Sequence, residues 1–302
     1  MVIKNKHSYL AISTCGLTLL LNGCKYAILD PKGSIAADEK HILIISVLLM
    51  LMVVVPVIIL TFTFAWRYRE KNTKAIYSPS WAHSTPLEII WWSIPCIIIG
   101  VLGTITWVSS HQLDPYRPLS SMKQPITIQV IALEWKWLFI YPDQHIATVN
   151  FVQFPVGVPI RFLITAEGPM NSFQIPQLAG QIYAMAGMQT KLNLIANEIG
   201  DYAGISANFS GKGFSGMKFI ARATSQEQFS LWVKIVKQSP KQLTPIEYNK
   251  LAQPSENNIV EYFSSANQYL FETAVMNPMM PIPIKNLEKC TPNQKAKVNS
   301  NA

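Results

Sequence analysis

The two longest stretches of this chain without Asp, Glu, Lys or Arg, both strongly apolar, are His41 to Trp66 and Ile89 to Leu113. As helices, runs of that length rise about 37–39 Å, more than the roughly 30 Å of hydrocarbon in a bilayer. The expectation is a transmembrane helical hairpin with spans at about 41–66 and 89–110. Pro56 lies inside the first span, where neighbouring groups in a membrane can satisfy the carbonyl it frees. Trp91, Trp92 and Trp107 lie near the ends of the second, as an aromatic belt would. Cys96 falls within that span and reads as a buried structural thiol. A hydrophobic content of 49% and a mean hydropathy of +0.20 agree with a chain only partly in water.

The segment 67–88 between the spans carries Arg67, Arg69, Lys71 and Lys74 close to the first span. The positive-inside rule puts it in the cytoplasm and both termini in the periplasm. The start, "MVIKNKHSYLAISTCGLTLLLNGC", has basic Lys4 and Lys6, an apolar stretch to Leu21 and a small residue before Cys24. It reads as a lipoprotein signal peptide over 1–23, with "LNGC" similar to a bacterial lipobox and Cys24 as the acylated residue. Asn22 departs from the usual small or aliphatic residue, and the plain alternative is an ordinary cysteine after an uncleaved anchor. Acylation follows export, so Cys24 and the basic loop require the same orientation independently. Cys15 would leave with the signal.

Beyond Asp114, "PITIQVIALEWKWLFIYP" and "QTKLNLIA" alternate apolar with other residues. That period of two, broken by Pro and Gly, predicts an antiparallel β-sandwich over 113–224. Strands are expected at 126–140, 146–154, 159–166, 189–196, 202–206 and 217–223. A helical region follows over 225–276. Ser225 and Gln228 form a capping-box start for a helix with Phe229, Trp232, Val233 and Val236 on one face. Thr244, Pro245 and Glu247 start another. Residues 277–302, rich in Pro and Lys and containing Cys290, read as a disordered tail.

The net charge of +8 comes from scattered basic residues without a basic helix or stacking motif, so nucleic acid is not an expected partner. The four cysteines fit neither a zinc cluster nor a disulfide framework. Residues 204–217 read "GISANFSGKGFSGM" and 170–180 read "MNSFQIPQLAG". A membrane hairpin followed by a sandwich with such a loop resembles subunit II of the haem–copper oxidases. That resemblance implies a periplasmic cupredoxin-like domain, which in members oxidising cytochrome c holds a dinuclear copper centre. Its ligands there are one upstream histidine, then a cysteine, a glutamate carbonyl, a second cysteine, a histidine and a methionine. On this frame Asn171 matches the upstream histidine, Ser206 and Ser210 the cysteines, Asn208 the carbonyl position and Phe214 the second histidine. Met217 alone is retained.

The histidines are His7, His41, His83, His111 and His145, with none later in the chain. No two-histidine site can form on the later strands, and hydroxyls are weak donors to copper. No metal is therefore expected. The expectation is that Ser206, Asn208 and Ser210 hydrogen-bond within the loop, that Gly211, Gly213 and Gly216 turn it, and that Phe214 and Met217 pack.

The longer stretches "ILDPKG" (28–33), "YSPSWAHS" (77–84), "EWKWLFIYP" (134–142), "IATVNFVQFP" (146–155) and "QIYAMAGMQTKLNLIANEIGDYAGISA" (181–207) resemble the copper-free branch, the cytochrome bo-type ubiquinol oxidases. The resemblance implies an accessory subunit with no catalytic residue of its own. Haems, copper and the ubiquinol site would lie in subunit I, with subunits III and IV and the lipid bilayer as further partners in a bacterial inner membrane. From His111 onward there are 16 basic and 12 acidic residues, a balance of +4 that offers no attractive field to a basic cytochrome c. In "HSTPLEIIWW" Glu88 corresponds to a glutamate at the mouth of a proton channel in relatives, or it is an interfacial anchor. Trp135, Trp137, Phe139 and Tyr141 are expected on one strand face, packing the core or docking on subunit I. The competing reading is a free-standing membrane lipoprotein, such as an assembly factor, that grips another protein with its sandwich.

Overall fold

In a computed structural model, residues 26–276 are described, apart from Tyr77 and Ser120. The expected signal peptide, Cys15, Cys24, the expected tail over 277–302 and Cys290 lie outside the described residues.

Helices α1 (Ser34–Arg67) and α2 (Thr85–Gln112) contain both charge-free runs. At 1.5 Å per residue they are about 51 and 42 Å long, so each exceeds the bilayer core. The excess of α1 is at its start, where Asp38, Glu39 and Lys40 extend the helix beyond the apolar run. Both helices run through an internal proline, Pro56 and Pro95. Ile42, Ser46, Leu49 and Val53 of α1 are partly buried, as are Leu102, Ile105 and Ser109 of α2 next to buried Ile98. Steps of three and four residues mark the seam of two antiparallel helices. Cys96 is exposed on the other face of α2, which overturns its reading as a buried thiol: it falls two residues short of the seam position at Ile98.

The sandwich has a six-stranded sheet in the order β11-β3-β2-β1-β5-β8 and a five-stranded one in the order β4-β10-β9-β6-β7. The strands are β1 (Ile126–Leu133), β2 (Lys136–Tyr141), β3 (Ile146–Val149), β4 (Phe151–Pro155), β5 (Ile160–Ala166), β6 (Asn171–Ile175), β7 (Ala179–Ala184), β8 (Thr190–Leu194), β9 (Gly200–Ser206), β10 (Lys218–Thr224) and β11 (Glu261–Phe263). Two expected strands are each divided. The stretch 126–140 is a hairpin in which Leu133 pairs with Lys136 across a turn of Glu134 and Trp135, the latter at φ 62°. Trp135 therefore leaves the face shared by Trp137, Phe139 and Tyr141. The stretch 146–154 divides at Asn150 (φ 54°), a residue type that tolerates the left-handed region, and its halves join different sheets. Asn150 fixes this corner: its Oδ1 accepts from the Trp137 backbone N–H at 2.9 Å and its Nδ2 donates to the Asn258 carbonyl at 3.0 Å. Because the chain changes sheets, β1 with β5 and β4 with β10 pair in parallel, so the sandwich is not wholly antiparallel.

Every residue of β2 is buried, since each face of its sheet is covered. Inward, Trp137 and Phe139 pack against Phe173 and Phe219, with Phe173 and Phe219 stacked at 5.0 Å. Tyr141 donates to the Gln153 carbonyl at 2.9 Å, and burial raises its phenol pKa. Core packing thus accounts for three of the four aromatics. Outward, Ile131, Leu133, Leu138 and Ile140 meet Leu243, Tyr248, Phe271 and Ala274 from helices α4 (Pro245–Ala252) and α5 (Leu270–Met276) and the segment before them. Helix α3 (Gln226–Lys237) starts at the expected capping box and buries Phe229, Trp232 and Val236. Thr244 caps α4 by accepting from the Glu247 N–H at 3.3 Å.

One short strap joins hairpin and sandwich. The Lys32 and Gly33 N–H groups donate to the Gln177 carbonyl at 2.7 and 3.1 Å, and the Asn197 N–H donates to the Lys32 carbonyl at 2.8 Å. Gly33 is required there, because a Cβ would stand 2.4 Å from the Leu178 carbonyl oxygen.

Candidate functional site

The six positions matched to copper ligands are brought to one end of the sandwich by three elements. Asn171 opens β6, Ser206 closes β9, and the loop 207–217 leads into β10 through a short 3-10 turn, Phe214–Gly216. Ser206 Oγ donates to Asn171 Oδ1 at 3.0 Å, joining the upstream position to the later loop directly. It also lies 3.4 Å from the Asn208 carbonyl, while Asn208 Nδ2 donates to the Met170 carbonyl at 2.9 Å. The Ser206 N–H donates to the Met217 carbonyl at 3.3 Å, and the Met217 N–H to the Phe214 carbonyl at 3.1 Å. Met217 packs into the core at 1% exposure, and Phe214 meets the exposed ring of Phe209 edge-on at 5.5 Å.

Ser210 takes part through its backbone: its carbonyl accepts from Trp135 Nε1 at 3.0 Å. Trp135 forms the wall on which the loop rests. A Cβ on Gly213 would lie 2.4 Å from Trp135 Cδ2, and Gly211 passes the same ring at φ 104°. Trp135 is the residue that sequence reasoning misplaced. The available signal was the density of glycines, which indicates a close neighbour as much as a turn.

The donors assembled here are two hydroxyls, that of Ser210 buried without a hydrogen-bond partner among the described residues, two amides, backbone carbonyls and one core-packed thioether. Copper cycling between oxidation states needs thiolate and imidazole, so these residues do not fit a dinuclear copper centre. The Ser206 hydroxyl is directed at Asn171, and the Asn171 and Asn208 amides donate to the Pro169 and Met170 carbonyls.

Beside the loop, Lys136 is 1% exposed and its Nζ donates to the Leu251 and Gln253 carbonyls, each at 2.7 Å. These are carbonyls at the C-terminal end of α4, where the helix dipole favours a cation. Burial nevertheless lowers the Lys136 pKa from its usual range. Tyr248 of α4 donates to the Glu167 carboxylate; burial first, then the Glu167 charge, raises its pKa.

Glu88 is apart from this end of the molecule. It lies in the first turn of α2, with Oε1 3.2 Å from His83 Nδ1, and both side chains are partly exposed. The structure brings His83 and Glu88 together at the end of the hairpin far from the sandwich.

Residues 144–224 match the family model described as "Cytochrome C oxidase subunit II, periplasmic domain", and residues 237–281 match "COX Aromatic Rich Motif". The chain is 57% identical over 257 residues to the cytochrome bo(3) ubiquinol oxidase subunit 2 of Pseudomonas putida, covering 85% of this chain and 82% of the relative. It is 46% identical over 277 residues to that of Buchnera aphidicola subsp. Baizongia pistaciae, covering 91% and 97%. To the quinol oxidase subunit 2 of Bacillus cereus it is 41% identical over 241 residues, covering 79% and 83%. These relatives favour an oxidase subunit over a free-standing assembly factor. With two apolar helices and a cupredoxin-like sandwich of the periplasmic-domain family, the chain belongs to the subunit 2 family of the cytochrome bo(3)-type ubiquinol oxidases.

Proposed function

We propose that this chain is a subunit of a proton-pumping terminal oxidase that oxidises ubiquinol and reduces oxygen to water, and that it contributes no redox centre of its own. Its role is to scaffold the periplasmic side of the complex. Haems, copper and the quinol site belong to subunit I, and subunits III and IV complete the assembly in a bacterial inner membrane. The observation that carries this reading is the set Asn171, Ser206, Asn208 and Ser210 at positions where relatives with copper have ligands: the Asn171, Ser206 and Asn208 side chains are hydrogen-bonded within the protein, and Ser210 is held through its backbone carbonyl while its hydroxyl is buried without a partner among the described residues. Without a relay here, electrons from a soluble haem carrier have no entry through this domain, so cytochrome c is not a partner. Reducing power arrives from a donor dissolved in the membrane.

Two features complete the proposal. Acylation of Cys24 adds a lipid anchor to the helical hairpin on the periplasmic side. Glu88, whose Oε1 lies 3.2 Å from His83 Nδ1, serves at the cytoplasmic mouth of a proton path that continues in subunit I. The deciding experiment is purification of the tagged chain in mild detergent. Haem and a large polytopic subunit should travel with it in equal stoichiometry; a chain that runs alone, without haem, refutes the oxidase role.

A further inference from the structure

We infer that the cytoplasmic end of α1 is a binding site for one phospholipid with an anionic headgroup. The apolar run of α1 stops at Trp66, which sets Arg67 at the depth of lipid phosphates. There Phe62, Thr63, Trp66, Arg67 and Asn72 line a groove of about 560 Å³. Phe62 and Trp66, one turn apart, are 72% and 71% exposed and give it an apolar wall. The Arg69 guanidinium lies 4.3 Å from the centre of the Trp66 ring, so the loop folds a second cation back over that wall.

The polar neighbours in this groove are already engaged. Asn72 Nδ2 donates to the Arg67 carbonyl at 2.5 Å, closing the loop onto the helix end, and Thr63 Oγ1 donates to the Ile59 carbonyl at 2.6 Å. Neither Arg67 nor Arg69 has a carboxylate partner among the described residues. Lys71 and Lys74 add positive charge, and Glu70 is the only acid between Arg67 and Glu88. Two guanidinium groups without carboxylate partners, above an aromatic wall, suit a ligand with a phosphate at one end and a hydrocarbon chain at the other. Free phosphate has no use for Phe62 and Trp66, and a zwitterionic lipid has no use for the net charge. The groove therefore selects an anionic phospholipid of the cytoplasmic leaflet, its phosphate between Arg67 and Arg69 and one acyl chain along Phe62 and Trp66.

The site rests on the membrane orientation proposed above, and its test is read separately from the haem that tests the function. The detergent-solubilised assembly is analysed by mass spectrometry for retained phospholipids, comparing the wild type with Arg67→Gln/Arg69→Gln and Lys71→Gln/Lys74→Gln. The arginine pair should weaken retention of one phosphatidylglycerol-class lipid by about fivefold per arginine. The lysine pair should keep it. Unchanged lipid in the arginine variant, or equal loss in both, overturns the site in favour of no binding or a diffuse field. If the arginine variant does not assemble, wild-type protein is labelled with photoreactive-chain phosphatidylglycerol or phosphatidylcholine. Adducts within residues 60–72 that favour phosphatidylglycerol support the site; equal labelling by both lipids, or none, sinks it.

Discussion

Replacing Gly213 by alanine isolates the contact on which the emptied loop rests. Gly213 sits at φ −85°, which alanine adopts readily, so the substitution carries no backbone penalty and restricts the unfolded chain slightly. What it adds is a methyl group 2.4–2.8 Å from three atoms of the Trp135 ring. The ring must move, and its Nε1 bond to the Ser210 carbonyl is lost. Overpacking costs about 1–3 kcal/mol and the hydrogen bond about 1 kcal/mol, against a gain of about 0.5 kcal/mol from the unfolded state. The net loss should be about 1.5–3.5 kcal/mol, or a fall in Tm of about 3–14 °C for a domain of this size. The assay is thermal unfolding of the detergent-solubilised chain, with hydrogen exchange across 204–217 to locate the effect. Trp135→Leu supplies the internal control, because without the indole the added methyl has room, and a double-mutant cycle should show a coupling of at least about 1 kcal/mol. Gly213→Ala within about 0.5 kcal/mol of wild type, or an equal cost in the Trp135→Leu background, refutes the reasoning.

Three other outcomes follow from the same geometry. Lys136→Met deletes two charge-assisted bonds to the end of α4 while relieving a desolvated cation, so about 1–3 kcal/mol should be lost; exchange protection over 245–276 should drop at least about fivefold while the inner strands hold theirs. The Arg222 fork, at 2.6 and 2.7 Å, holds the Asp201 carboxyl below its usual pKa. Its contribution is present above the unfolded carboxylate range and disappears as pH falls through the depressed folded value. Both side chains are nearly half exposed, so screening limits it to about 0.5 kcal/mol, and Asp201→Asn should lower Tm slightly at pH 7 and not at pH 2. Glu88→Ala should slow proton-coupled turnover with haem content intact, whereas parallel losses of both would make Glu88 a structural anchor.

The parts of the fold legible in the sequence are those where local chemistry and final structure agree. Charge-free runs became α1 and α2, and the Ser225 and Thr244 caps start helices where their side chains allow. Alternation found eight of the eleven described strands, missing β6, β7 and β11, and misplaced strand ends where Trp135 and Asn150 take left-handed conformations imposed by tertiary contacts. Neither residue interrupts an apolar pattern. Strand β7, "AGQIYA", has little strand propensity and is held by β6 and the α1 strap, while β11 exists only because the C-terminal region folds back onto β3. Of the site, the residue types at the matched positions were readable; the hydrogen bond from Ser206 to Asn171 needs two elements 35 residues apart to meet. The contacts of Trp135 and Lys136 were not readable for a similar reason: their partners lie far along the chain at Ser210 and at the end of α4.

Hydroxyl and amide groups tie the loop 204–217 to Asn171 and Met170. The most direct test adds copper to the solubilised chain, freed of partner subunits, and measures tightly held copper per chain together with the near-infrared spectrum. Less than one-tenth of an equivalent, with no mixed-valence band, is the predicted result. Copper retained in stoichiometric amount with that band would contradict the account.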